Sequence, residues 1–232
     1  MRHDGRSVVL SAIAQALRHN EPAASDDPRC TVAQQPTATS GQGSETPAYA
    51  AALAGAFSAQ LVLLGGSANV LEDPAACATE IARQLALRGM QKLTVQSAPL
   101  ALDVARRLSG VEVEIARQAG VAKLEDCKAS LLEATALLAD SGSALVISAN
   151  SGDRALPYVA RVCFIVATME RLHPSLSNAA LSELHAAAQS KAAGEAVIIT
   201  GPSRTADIEK VLILGAHGPE EVHIYLMRNS SP

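Results

Sequence analysis

Residues 93–115 read LTVQSAPLALDVARRLSGVEVEI, and this stretch decides the fold class. Leu93-Thr94-Val95 is an apolar run of strand length. Leu100, Val104 and Leu108 recur four residues apart, a spacing that stacks them on one face of a helix. Val111 to Ile115 is a second strand. A strand, a helix and a strand in this order predict a parallel pair joined by a crossover helix.

Working outward, the same alternation continues on both sides. Towards the N-terminus, Asp73 and Pro74 open a helix as cap and first-turn residue. Ile81 and Leu85 face inward on it and Gly89 stops it. Leu61-Val62-Leu63-Leu64 reads as a short buried strand ended by Gly65-Gly66, and Pro47 to Ser58 as a helix. Towards the C-terminus, Ser130 to Ala139 reads as a helix, and Ala144 to Ser148 and Val162 to Thr168 as strands. A helix from Asn178 to Ala193 follows, capped by Asn178 and stopped by Gly194. Val197 to Ile199, Val211 to Leu214 and Val222 to Met227 are strands. Three zones result: an amphipathic helix within residues 1–19, a polar Pro- and Gly-broken linker over 20–46, and an α/β domain over 47–232. In the first zone Val8, Val9, Ala12, Ile13, Ala16 and Leu17 form one stripe at helical spacing.

Composition narrows the function classes. The 232 residues are 48 % hydrophobic but only 2 % aromatic, so the core is aliphatic, as suits buried parallel strands. A net charge of −4 builds no basic footprint for nucleic acid. Cys30, Cys77, Cys127 and Cys163 stand at spacings of 47, 50 and 36 residues, without the clustering that zinc or iron–sulfur sites use. They read as reduced thiols of a cytoplasmic protein that holds no metal or cofactor. The opening Met-Arg-His-Asp-Gly-Arg has no long apolar run after it, so no secretory leader is expected, and no apolar stretch approaches the length a membrane span needs.

Four segments offer chemistry. Thr200 to Glu209 follows a strand, and in open α/β sheets ligands bind at strand carboxyl ends. Gly201 allows close backbone approach, Ser203 and Thr205 supply hydroxyls, and Arg204 supplies a planar fork for a carboxylate or phosphate. Asp207 is placed to orient Arg204. The plainer alternative is a capped turn in which Arg204 pairs with Asp207 or Glu209. Gly215 to Pro219 places His217 on a strand-end loop, where it is a proton-handling candidate or a turn histidine bonded to backbone. Asp140 and Ser143 flank a Gly142 turn and would line the opposite wall, unless this is a plain connection between elements. Arg154, in a loop over Gly152 to Pro157, either faces the same crevice or is solvated. No Walker A, G-x-G-x-x-G or G-x-S-x-G pattern occurs.

The run Thr200-Gly201-Pro202-Ser203-Arg204-Thr205-Ala206-Asp207-Ile208-Glu209, followed by Gly215-Ala216-His217-Gly218-Pro219, resembles the closing signature of the lactate-utilisation protein C family. That family is also known as the LUD-domain or YkgG-like family. Arg6 to Leu17 resembles the helix that opens its members. The resemblance implies a NagB/RpiA/CoA-transferase-like layered fold with a mostly parallel sheet flanked by helices. It also implies a cluster-free accessory subunit of a system oxidising L-lactate to pyruvate, whose partners are an iron–sulfur oxidoreductase and an iron–sulfur electron-transfer protein. Asp140-Ser141-Gly142-Ser143 stands where the family has Glu-Thr-Gly-Thr or Glu-Thr-Gly-Ser, and Arg161 where it has a His. Whether the subunit itself catalyses a step stays open. In the alternative reading the chain is a stand-alone enzyme or ligand-binding protein of the same fold group, acting on a phosphorylated or CoA-type molecule. In either case the crevice would take a small anion, with Ser203, Arg204, Thr205, Asp140, Ser143 and Arg154 as ligand-binding residues and His217 and Asp207 as catalytic ones.

Overall fold

The computed structural model describes residues 46–119, 124, 126–148, 150–176, 194–206, 212–215 and 218–228. The helices expected at 7–18 and 178–193, nearly all of the 20–46 linker, Asp207 and His217 lie outside these residues.

Helix α1 spans Pro47–Leu63. Thr46 caps it by accepting from the Tyr49 amide at 3.3 Å, and Pro47 fills the first turn. Ala54, Phe57 and Leu61 form its buried stripe. The strand expected at Leu61 to Leu64 is therefore a correction. Leu61 is fully buried, but Val62 and Leu63 are 58 % and 75 % exposed, so this apolar run has one buried face rather than two. Nothing breaks the Ala-rich helix before Gly65, whose φ of 85° lets the chain reverse. The Gly65 and Gly66 amides close the helix on the carbonyls of Val62 and Leu61.

Strand β1, Ser67–Leu71, follows. Helix α2, Pro74–Leu87, starts where Asp73 accepts from the Ala76 amide at 2.8 Å. Strand β2 (Lys92–Val95), helix α3 (Pro99–Arg106) and strand β3 (Glu112–Ile115) reproduce the strand–helix–strand unit read from the sequence. Strands β4 (Ala129–Glu133) and β5 (Ala136–Leu138) occupy the segment expected to be a helix. Its Ala, Leu and Glu residues favour helix in isolation. Here Ala129 to Leu132 are buried on both sides of a central strand, and burial outweighs propensity. Strand β6 is Ser143–Ser148. Helix α4 is Ser151–Val159, where a loop was expected, and Asn150 caps it by accepting from the Asp153 amide at 3.0 Å. Strands β7 (Val162–Thr168), β8 (Leu172–His173), β9 (Glu195–Ile199), β10 (Arg204–Ala206), β11 (Leu212–Leu214) and β12 (Glu221–Met227) complete the chain.

The main sheet has six strands in the order β1-β12-β7-β4-β2-β3, all parallel. Its two faces divide the core by strand alternation. On β7, Cys163, Ile165 and Ala167 pack with α1, α4 and the second sheet, whereas Val162, Phe164 and Val166 pack under α2 and α3. The second sheet, β8-β5-β6-β9, is mixed, and β10 pairs antiparallel with β11. The α/β class with a parallel sheet between helices is thus as expected, but β9, β10 and β11 stand outside the parallel sheet.

Candidate functional site

The two signature loops meet. Ser203 stitches them, donating its amide to the Pro219 carbonyl at 2.8 Å and accepting from the Gly215 amide at 3.0 Å. Beside them the Thr200 and Ser143 hydroxyls bond at 2.8 Å, which ties the first loop to the β5–β6 hairpin. Gly142, at φ 61°, lies so close to α1 that a Cβ there would fall 2.5 Å from the Leu61 nitrogen. Only glycine serves at this turn.

Arg204 is exposed and donates Nη2 to the Leu64 carbonyl at the end of α1. A cation suits that position, because the last carbonyls of a helix carry partial negative charge. Arg161 joins the cluster through Glu220, Nε to Oε2 at 2.7 Å. Sequence reading marked Arg161 only as a departure from a family pattern and overlooked Glu220. Thr205 lies on β10. Asp140 is exposed on the hairpin, its amide donating to the Pro174 carbonyl at 2.9 Å.

Arg154 is not gathered here. It lies exposed on α4, its stem 3.5 Å from where a Cβ of Gly194 would stand. That is the Ser148↔Glu195 end of the β6–β9 ladder, whereas Ser143 and Thr200 mark the other end. Five residues of strand separate the two ends by about 17 Å.

The cluster sits at the amino ends of the parallel strands. Leu64 to Gly66 lead into β1, Pro219 and Glu220 into β12, and Arg161 into β7. The first loop does follow the carboxyl end of β9, but β9 runs antiparallel to β6 in the smaller sheet. The strand-end rule for open parallel sheets therefore does not reach it.

Below the loops, Ser67 Oγ lies 2.7 Å from His223 Nδ1, and His223 Nε2 lies 3.2 Å from Glu221 Oε2. This is the order of a Ser-His-acid triad. However, Arg88 grips Glu221, and the Gly65 and Gly66 amides that an oxyanion hole would use are spent on α1. Burial holds the His223 imidazole below its ordinary pKa, Glu221 pulling the other way, so it is neutral at pH 7. The set braces β1, β12 and α2.

At the carboxyl ends lies a polar group that sequence reading missed. The main chain passes from β2 outward to β3 and then returns to β4 on the other side of β2, making a switch point. There Gln96, 2 % exposed, donates to the Ile147 carbonyl at 2.9 Å and accepts from the Glu133 amide at 2.8 Å. Glu133 Oε2 accepts from the Leu100 amide at 2.6 Å and the Ala101 amide at 3.4 Å, at the start of α3. Burial pushes its carboxyl above the usual range, against those amide bonds. Asp153 is also 2 % exposed and accepts from the Ser97 amide at 3.0 Å and from Asn150 Nδ2 at 2.5 Å. Glu133 escaped notice because its segment read as a helix, and Asp153 because its segment read as a loop.

The described cysteines are buried thiols. Burial pushes Cys77 and Cys163 up to about 12, which keeps them protonated and unreactive. Among the described residues no three His, Cys, Asp or Glu side chains gather as metal ligands, and no helix is long and apolar enough to cross a membrane.

The chain is 31 % identical over 112 residues to the uncharacterized protein YkgG of Escherichia coli (strain K12), covering 46 % of each chain. It is 33 % identical over 104 residues to lactate utilization protein C of Halalkalibacterium halodurans, covering 43 % of this chain and 44 % of that one. The aligned part thus spans about half the length of these curated relatives. Among solved structures, that of a DUF162 family protein from Deinococcus radiodurans superposes with a TM-score of 0.57 at 16 % identity. The match covers 77 % of this chain and 98 % of that one, a likeness of fold. The LUD domain profile matches residues 41–227, which take in the six-stranded sheet, the Gly142 hairpin and both signature loops, and the chain belongs to the LUD domain family.

Proposed function

We propose that this protein is a cluster-free accessory subunit of a lactate-utilisation system that carries L-lactate to pyruvate, with a small anion held against the stitched loops. The observation that carries the reading is the Ser203 bridge, which joins the two neighbouring motifs into one surface beside an exposed guanidinium. The likeness to lactate utilization protein C of H. halodurans supports the pathway.

In this reading Arg204 holds the anion with its remaining N–H groups, and the hydroxyls of Ser203 and Thr205 add hydrogen bonds. Asp140 and Ser143 form the neighbouring wall. Asp207 orients Arg204 and His217 handles the proton. The partners are an iron–sulfur oxidoreductase and an iron–sulfur electron-transfer protein, which would supply the redox centres in the cytoplasm.

The alternative, an enzyme for a phosphorylated or CoA-type molecule, meets a physical obstacle at the switch point. A phosphate there would use the amides at the start of α3. The half-buried Glu133 side chain already occupies the Leu100 and Ala101 amides, and the buried Asp153 adds a second acidic group nearby. Both repel an anion.

Gentle affinity capture of the tagged full chain from cells grown on lactate is the test. Recovery of two cysteine-rich cluster proteins, reduced by Arg204→Ala, is expected. A capture free of cluster proteins, together with a melting shift caused by a phosphorylated compound, would sink the reading in favour of the alternative. One such ligand at 100 times its Kd stabilises by about 2.7 kcal/mol.

A further inference from the structure

The two edges of the main sheet differ in kind. Edge strand β3 carries Glu112 and Glu114, with Lys92 of β2 paired to both. Charges of this sort protect an edge against pairing with another chain. Edge strand β1 reads Ser67-Ala68-Asn69-Val70-Leu71 and carries no charge and no proline. Among the described residues β12 lies on one side of it and no strand on the other. Asn69 and Val70 are exposed, the latter at 40 %.

The direction of the free groups follows from the ladder. The Leu71 carbonyl accepts from the Arg228 amide at 3.0 Å, so Leu71 turns its main chain towards β12. Main-chain groups alternate along a strand paired in parallel. Ala68 and Val70 therefore turn their N–H and C=O groups outward. The side chains of these same two residues line a groove of ≈ 430 Å³, whose other wall includes Ala50, Ala54 and Ser58 of α1.

We infer that β1 is a self-association edge: two copies of this chain pair β1 against β1, antiparallel, about a two-fold axis at Asn69. In that register Ala68 of each copy faces Val70 of the other and each pair exchanges two main-chain hydrogen bonds, four in all. The pairing sets no like charges opposite each other, which β3 pairing with itself cannot achieve. Ala68 and Val70 of the second copy continue the apolar floor of the groove on the same face, and the six parallel strands of each copy join one continuous sheet. Asn69 faces Asn69 as a non-hydrogen-bonded pair, with Cα atoms about 4.5 Å apart.

Light scattering across a dilution series of the full chain reads the assembly. Twice the single-chain mass of 23.9 kDa is expected. Val70→Lys should return it to the single-chain mass with an unchanged circular dichroism spectrum, and Val113→Lys on β3 should leave it doubled. Register is read separately by Asn69→Cys in a Cys30→Ser background, which should form an intermolecular disulfide on mild oxidation because the dyad brings the two Cα atoms within bridging range. A single-chain mass for the unaltered protein overturns the inference. So does a doubled mass that survives Val70→Lys, or a doubled mass with no disulfide at position 69. If Val70→Lys does not fold, the Asn69→Cys result decides.

Discussion

The two ends of one parallel sheet use their polar residues in opposite ways. At the carboxyl end, where α/β sheets ordinarily meet ligands, Gln96, Glu133 and Asp153 turn inward and spend their hydrogen bonds on backbone amides and carbonyls. At the amino end, the family's two loops are stitched through Ser203 and leave Arg204 exposed. The difference teaches that strand polarity alone does not place a site. An internal carboxylate can consume the helix N-terminus that would have bound an anion, and a second sheet can carry a signature loop to the other end.

The comparison breaks most readily at Gln96. Gln96→Leu leaves the Glu133 amide and the Ile147 carbonyl without their partner, at about 1–3 kcal/mol each. Urea unfolding should show a loss of several times what any Arg204 substitution causes. A loss no larger than that of Arg204→Ala would remove the claim that the carboxyl end is a structural brace.

Gly65→Ala comes next. It forces a side chain into φ 85° and places Cβ 2.5 Å from Arg204 Nη2. The left-handed conformation costs about 1–2 kcal/mol, and Arg204 must leave the α1 carboxyl end. Thermal melting reads the first effect, and growth on lactate reads the second. Normal growth with the expected loss of stability would separate Arg204 from function.

Arg204→Ala should cost less than about 1 kcal/mol, the scale of a cation at a helix C-terminus. It should nevertheless abolish growth on lactate. Arg204→Lys should rescue stability but not growth, since a point charge does not replace a planar fork. Full growth of Arg204→Ala with normal folding would point to a module without chemistry at this loop.

The smallest effect is a difference of sign with pH. Burial raises the Glu133 carboxyl above its unfolded value. Its contribution to stability is therefore greatest below that value and is lost as pH rises through the folded pKa. Relative to the unaltered chain, Glu133→Gln should therefore gain stability as pH rises above the ordinary carboxylate range. Glu221 goes the other way, because its hydrogen bond from Arg88 holds it below the usual range. Its contribution is present above the unfolded value and is lost as pH falls through the folded pKa. The deficit of Glu221→Gln should shrink as the solution is acidified, weakly, since a half-exposed pair is screened. Denaturation midpoints across this range, with the same sign for both variants, would contradict the contrast.

Much of this fold was legible because its signals are local. Asp73-Pro74 and Gly89 bound α2, and the spacing of Leu100 and Val104 marks α3. The pairing of the two signature loops was legible only as order and distance along the chain, and the structure turned that into contact. Segments failed where an apolar run carried no period. Leu61 to Leu63 continues a helix because only one of the three is buried, and Ser130 to Leu138 forms strands because β4 is enclosed by β2 and β7. The carboxyl-end brace was invisible for the same reason, since Glu133 and Asp153 acquire roles only once those segments take their true form.

By itself, the sequence determined the α/β class, the strand–helix–strand unit over 93–115, the cap at Asp73 and the signature that marks a LUD domain. These rest on spacing, turn chemistry and residue identity, which are properties of neighbours in the chain. Tertiary structure alone decided that the signature loops lie at the amino ends of the parallel strands, that Glu133 fills the start of α3, and that β1 rather than β3 is the uncharged edge. Each of these depends on which distant strand lies alongside, and pairing and burial are set by the whole assembly of elements rather than by any one segment.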